Sequence, residues 1–184
     1  YLNSRINNGV LYLLSNFSVN TYDDTVDENN PATFVPCAYE GEVCVLPSVE
    51  SIGCMPVVNS TTYLSIGAFS IADGALLSQE SILGGGSTVY MSSDNLYVAY
   101  NRYDMEDSDF YLTEEGYYAK DHSETYVTDF VRIALNDGEL AVEAATTANG
   151  QLLNQFSMDE FDETFRAVLT TYNYSYTSYY REVE

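Results

Sequence analysis

The densest group of side chains able to do chemistry is Asp104-Met105-Glu106-Asp107-Ser108-Asp109, four carboxylates within six positions. Calcium is held by several hard oxygens converging within about 2.6 Å, and closely spaced carboxylates on a loop can supply them. Asp104, Glu106, Asp107 and Asp109 are therefore the metal candidates, although the EF-hand order with a glycine at its sixth position is absent. Asp23, Asp24, Asp27 and Glu28 form a second acidic stretch of the same kind. For both, a solvated acidic loop is the simpler reading, and the sequence favours it. Asp159, Glu160, Asp162 and Glu163 offer paired carboxylates of the type that cleaves glycosidic bonds. Their place at a turn favours turn formation and bracing over catalysis.

Nucleophilic chemistry has less to work with. The chain holds one histidine, His122, so a Ser–His–Asp or Cys–His site would have to use it. It stands in an acidic stretch and reads better as exposed. Gly84-Gly85-Gly86-Ser87-Thr88 has the glycines of a phosphate loop but not its lysine, and it leads into a strand instead of a helix. Cys37, Cys44 and Cys54 fall within eighteen positions. An odd count forbids complete internal pairing: one local disulfide can close a loop in an oxidising compartment with the third thiol free or paired elsewhere, and small buried or loop cysteines without chemistry are the plainer reading. The spacings match no common zinc site. Tyr172, Tyr174 and Tyr176 alternate, which puts three rings on one strand face. Such rings suit carbohydrate stacking or partner contact, and packing against a neighbouring sheet is the plainer expectation.

The chain that must position these groups has 184 residues, with 28 Asp and Glu against 6 Lys and Arg and a formal net charge of −22. That charge opposes phosphate backbones and anionic lipid, so nucleic acid is excluded as a partner class. The hydrophobic content of 46% argues against disorder despite the acidity. Eighteen tyrosines and no tryptophan lean the composition toward sheet. No apolar run is long enough to span a bilayer.

Strand signals recur in a fixed order. Val10–Leu14 follows the turn Asn7-Asn8-Gly9 and, as a nearly unbroken apolar run, is predicted to be covered on both faces. Residues 15–60 then lose periodicity and are predicted to form an inserted loop or excursion, with a disulfide or a short strand near Thr33–Pro36. Thr62–Ile71, the turn Ala72-Asp73-Gly74, Leu76–Ile82, a glycine break and Thr88–Tyr100 form one unit. Thr125–Leu135, Asn136-Asp137-Gly138, Leu140–Thr147, Gly150 and Leu152–Leu169 form the next. Tyr63 recurs as Tyr126, Gly74 as Gly138 and Tyr97 as Phe165, about 65 positions apart. Arg102–Ser123, acidic and rich in tyrosine, reads as a second insertion. Four short strands per repeat, in two hairpins, is the pattern of a propeller blade.

The stretch Leu152-Leu153-Asn154-Gln155-Phe156-Ser157-Met158-Asp159-Glu160, followed by Phe165-Arg166 and Thr170-Thr171, resembles a signature of secreted bacterial and archaeal β-propeller domain proteins. Ser4-Arg5, Leu11-Tyr12 and Ser15-Asn16 are similar to an earlier segment of that family, as are Val89–Ser92 and Asn95–Ala99. The chain departs from the pattern at Asp162-Glu163-Thr164, which lacks the usual turn glycine. The resemblance implies an all-β fold, a partial β-propeller of about two and a half to three four-stranded antiparallel blades. Residues 1–184 would form one such domain, an internal piece of a longer protein, with insertions at 15–60 and 102–123.

The resemblance implies secretion or a cell-surface location, with anchoring through regions outside this chain. It supplies no catalytic residue and no cofactor. The expected role is a non-enzymatic extracellular scaffold or recognition module for protein or glycan. A carboxylate-dependent secreted hydrolase and a calcium-stabilised adhesive module are the alternatives. Open blade edges further predict self-association or membership of a larger assembly.

Overall fold

The computed structural model describes residues 2–22, 26–86 and 88–181, with no side-chain description for Glu40. The first sheet is built from β1 (Asn3–Asn7), β2 (Val10–Ser18), β6 (Thr62–Ser70) and β7 (Leu76–Leu83), antiparallel in that order. Between β2 and β6 lie the short strands β3 (Ala38–Glu40), β4 (Val43–Val45) and β5 (Ile52–Cys54). The second sheet is β8 (Thr88–Met91), β9 (Asn95–Asp107), β11 (Tyr118–Asn136) and β12 (Glu139–Asn149), also antiparallel, with β10 (Tyr111–Leu112) beside β11. A third set, β13 (Gln151–Leu152), β14 (Met158–Phe161), β15 (Thr164–Ala167) and β16 (Leu169–Thr170), folds as one interrupted hairpin. The last strand is β17 (Asn173–Tyr180).

Turn chemistry sets the hairpins. Asn8-Gly9 and Asp137-Gly138 both take positive φ, at 47° and 78° and at 50° and 98°, which matches the right-handed twist of the flanking strands. At the third hairpin Asp162 (φ 49°) and Glu163 (φ 58°) adopt the same left-handed conformation without a glycine. The passage between the first two sheets is tight at Gly86, where a Cβ would run into the carbonyl of Ala99.

The sheets stack face to face. Val10, Tyr12 and Leu14 on β2, with Leu64, Ile66 and Ala68 on β6, pack against Leu96, Val98, Val131 and Ile133 of the second sheet. On the opposite face of that sheet, Ala99 and Phe130 pack against Leu152 and Met158 of the third hairpin. Repeat-equivalent residues meet across this second interface: the Tyr97 and Phe165 rings stack at 4.0 Å. Two four-stranded blades and the hairpin of a third thus lie side by side, a partial β-propeller. The sequence repeat is out of phase with the sheets, since each repeat joins the outer pair of one blade to the inner pair of the next.

One expectation needs correction within the first blade. β2 is not covered on both faces: Val10, Tyr12 and Leu14 are buried, whereas Leu13 is 36% exposed on the side away from the second sheet. The excursion carries both the expected disulfide and a short strand, the strand a few residues past Thr33–Pro36. A 3-10 turn runs over Pro31–Thr33, with Asp27 accepting a bond from the backbone N–H of Asn29 nearby, and pairing begins at Ala38. Cys37 and Cys44 form a disulfide that closes the β3–β4 hairpin, and Cys54 is a free, exposed thiol on β5, which lies parallel to β7. Asp23 and Asp24 of the second acidic stretch lie outside the described residues.

The stretch 102–123 is an addition to the four-stranded plan, but little of it is loop. β9 and β11 stay paired well past the blade, from Leu96↔Ile133 out to Asp107↔His122. β11 is bordered on its other side first by β12 and then, over Tyr118–Thr125, by β17. The outer halves of β9 and β11, with β17, make a three-stranded arm that projects from the second blade.

Candidate functional site

The arm has two unlike faces, set by the alternation of its strands. One carries Tyr103 and Met105 from β9, His122, Glu124 and Tyr126 from β11, and Tyr174 and Tyr176 from β17. The other carries Asp104, Glu106, Asp121, Ser123, Ser175 and Thr177. The aromatic rings meet in tilted and T-shaped contacts along the first face. Tyr103 and Tyr126 lie 6.3 Å apart, Tyr126 and Tyr172 5.9 Å, and Tyr174 and Tyr176 5.7 Å, while His122 stacks on Tyr176 at 4.6 Å. Despite these contacts the rings stay open to solvent, with Tyr103 60%, Tyr174 59% and Tyr176 38% exposed. Contiguous exposed rings of this extent mark an interaction surface more often than a resting one.

The arm is fixed at its root and tied along its length. Arg102 donates from Nε to Oδ2 of Asp129 at 2.7 Å, and the Thr147 hydroxyl donates to Oδ1 of the same carboxylate. Asp129 is fully buried, so this ion pair is shielded from solvent where the arm leaves the blade. Further out, Asp107 takes Lys120 Nζ at 2.7 Å and His122 Nδ1 at 2.7 Å. The hydrogen bonds from Lys120 and His122 hold the Asp107 carboxyl below the usual carboxylate range. On the other face Asp121 accepts from the hydroxyls of Tyr111 at 3.0 Å and Thr177 at 2.6 Å.

Three of the four metal candidates are therefore on a strand instead of a loop. Asp104 and Glu106 point to one face of β9 and Asp107 to the other, with Asp109 just beyond the strand end. Asp104 is ion-paired to Arg102 and Asp107 to Lys120, and no three His, Cys, Asp or Glu side chains group as a metal site among the described residues. His122 and Asp107 form a histidine–carboxylate pair, but Nε2 of His122 is buried without a hydrogen-bond partner instead of meeting a serine or cysteine.

The carboxylates of the signature stretch are occupied in bracing. Asp159 pairs with Arg166 across the β14–β15 hairpin. Glu160 accepts from the Ser92 hydroxyl at 2.8 Å and from the Asn95 amide at 3.1 Å, and its backbone N–H donates to the Tyr90 hydroxyl. Burial and the Glu160 carboxylate together push the Tyr97 phenol up to about 12. Asn154 accepts from the backbone N–H of Phe156 and opens the 3-10 turn that follows. The signature thus latches the third hairpin onto the inner turn of the second blade. Beside it, a cleft of about 330 Å³ is walled by Tyr97, Phe130 and Phe165, with Arg132 held at its side by Glu143.

Sequence reasoning found Tyr172, Tyr174 and Tyr176 as one face, but not the rings they join. Tyr126 belongs to β11, which pairs with β17, and Tyr103 to β9 on the far side of β11, both through long-range pairing, and the alternation Tyr103, Met105, Asp107 was the available signal. The profile of a family described as "Beta propeller domain" matches residues 1–183. No curated protein and no solved structure matches the chain.

Proposed function

The chain belongs to the beta propeller domain family, and from that premise we propose that it serves as a non-enzymatic recognition module outside the cell, binding a protein or glycan through the aromatic face of its arm. The blades supply a rigid base, and the arm presents side chains that the blades do not need for their own packing. One observation carries the reading: Tyr103, Tyr174 and Tyr176 are exposed together on one face of the arm. Tyrosine offers large contact area and a polar tip at low entropic cost, which suits a binding surface. The Cys37–Cys44 disulfide supports an oxidising, extracellular setting.

Peptide and glycan arrays probed with the wild-type chain and with a Tyr103→Ala/Tyr174→Ala double variant test this. The expected result is a set of ligands whose signal falls at least about tenfold in the variant, as for loss of aromatic anchors. Circular dichroism melting should stay nearly unchanged. Equal binding by the two proteins would place recognition elsewhere on the molecule.

A further inference from the structure

We propose that the free edge of β17 takes up an extended, arginine- or lysine-bearing segment of a partner protein as a fourth strand of the arm. The inference rests on the arm being the recognition surface and names what it recognises. Among the described residues β17 pairs only with β11, so its other edge presents unpaired backbone N–H and C=O groups. Proteins normally blunt such an edge with lysine, proline, a bulge or brevity. β17 has none of these: Asn-Tyr-Ser-Tyr-Thr-Ser-Tyr-Tyr is eight residues long and uncharged, without glycine or proline. An added strand would gain main-chain hydrogen bonds along this edge and specificity from its alternate side chains.

Charge selects the occupant. Residues 102–125 hold eight carboxylates against two cationic side chains. Both cations are committed, Arg102 to Asp129 and Lys120 to Asp107. Glu124 stands opposite Tyr174, and Asp121 opposite Thr177, so each face of the arm puts a carboxylate next to β17. A second copy of this chain would bring another net charge of −22 to the same edge and be repelled. A basic strand is attracted, and its alternate residues fall on the side of Tyr174 and Tyr176, where a guanidinium or ammonium can lie over a ring.

The test measures fluorescence anisotropy with three labelled octapeptides, an Arg-Thr repeat, an Arg-Pro repeat and a Glu-Thr repeat, against the wild-type chain. The Arg-Thr peptide is expected to bind, and the Arg-Pro peptide to bind at least about tenfold more weakly, because proline keeps the charge but removes the strand donors. The Glu-Thr peptide should not bind. Raising salt from about 50 to about 500 mM should weaken the Arg-Thr complex severalfold, and Glu124→Gln should weaken it at low salt. Equal affinity for the Arg-Thr and Arg-Pro peptides would reduce the effect to bulk charge and overturn strand addition. If the Arg-Thr peptide fails while a neutral oligosaccharide binds and is lost in the Tyr103→Ala/Tyr174→Ala variant, the basic occupant falls and the arm remains a recognition surface. A dimer by sedimentation that forms through β17, with no peptide bound, would also overturn the proposal.

Discussion

Tyr97 and Tyr103 sit on the same strand and the same face, six residues apart, and meet opposite fates. Tyr97 is 4% exposed, stacked under Phe165 of the third hairpin, whereas Tyr103 is 60% exposed on the arm. The boundary between them is a polar one. Asn101 donates to the carbonyl of Leu152 at 2.7 Å and accepts from its N–H at 2.9 Å, while the Thr128 hydroxyl bonds to the Gly150 carbonyl. Up to that row the face is covered by a neighbouring blade. Past it, the same strands and the same residue type continue with no described residue packed over Tyr103, which is 60% exposed. A tyrosine face on a sheet is thus structural or available according to whether a blade covers it, and its own sequence pattern does not say which.

Substitution to alanine should separate the two regions most sharply. Tyr97→Ala removes a buried, stacked ring and should cost about 3–5 kcal/mol in denaturant unfolding, whereas Tyr103→Ala should cost less than about 1 kcal/mol. Similar losses at both positions would mean that the arm rings are part of the fold. The next largest effect comes from acidity, which acts on body and arm in opposite directions. Glu80 on β7 is 7% exposed with one carboxylate oxygen unpartnered, and burial raises it from 4.5 to about 7. Between those values the folded chain holds more protons than the unfolded one, so stability falls as pH rises from about 4.5 to about 7. Glu80→Gln should therefore stabilise the body above pH 7, on the order of 2 kcal/mol, and do nothing below about pH 4.5.

Asp107, held low by Lys120 and His122, behaves the other way: its contribution is present above its ordinary value of 3.8 and lost at lower pH. Amide exchange of β9 and β11 beyond Asn101 should then rise in strong acid before the blades open. Exchange rising first in the blades would reverse the assignment. The smallest effect belongs to a turn. Glu163→Gly relieves a left-handed side-chain residue and should add up to about 1 kcal/mol to stability. No gain in melting temperature would mean that the Asp162-Glu163 turn is not strained.

The blades were legible in the sequence because their signals are local. Asn8-Gly9 and Asp137-Gly138 mark hairpins, and the alternation of Leu64, Ile66 and Ala68 marks a half-buried strand. The arm was not, because both of its faces meet solvent. Tyr103, Met105 and Asp107 alternate with Asp104 and Glu106, and without an apolar face that pattern reads as an acidic loop. β17 was harder still, since what makes it an arm strand is its pairing with β11 some fifty residues earlier. The Cys37–Cys44 pairing was open among three cysteines and is decided by the short β3–β4 hairpin, which sets their Cα atoms 5.6 Å apart. Bracing by the signature carboxylates was expected from their place at a turn, but that Glu160 braces against Ser92 and Asn95 could be read only once the two blades were side by side.

Lys120 is the chain's one lysine and lies on the arm, 5.5 Å above the ring of Phe110, while Cys54 is the one cysteine outside the disulfide and lies exposed on the first blade. Apart from the α-amine, an amine-directed dye would mark the arm, and a thiol-directed dye the body. The molecule carries, without any engineering, a donor and an acceptor position for energy transfer. A single labelled preparation could then report whether the arm stays fixed to the blades or swings when something settles on its tyrosines.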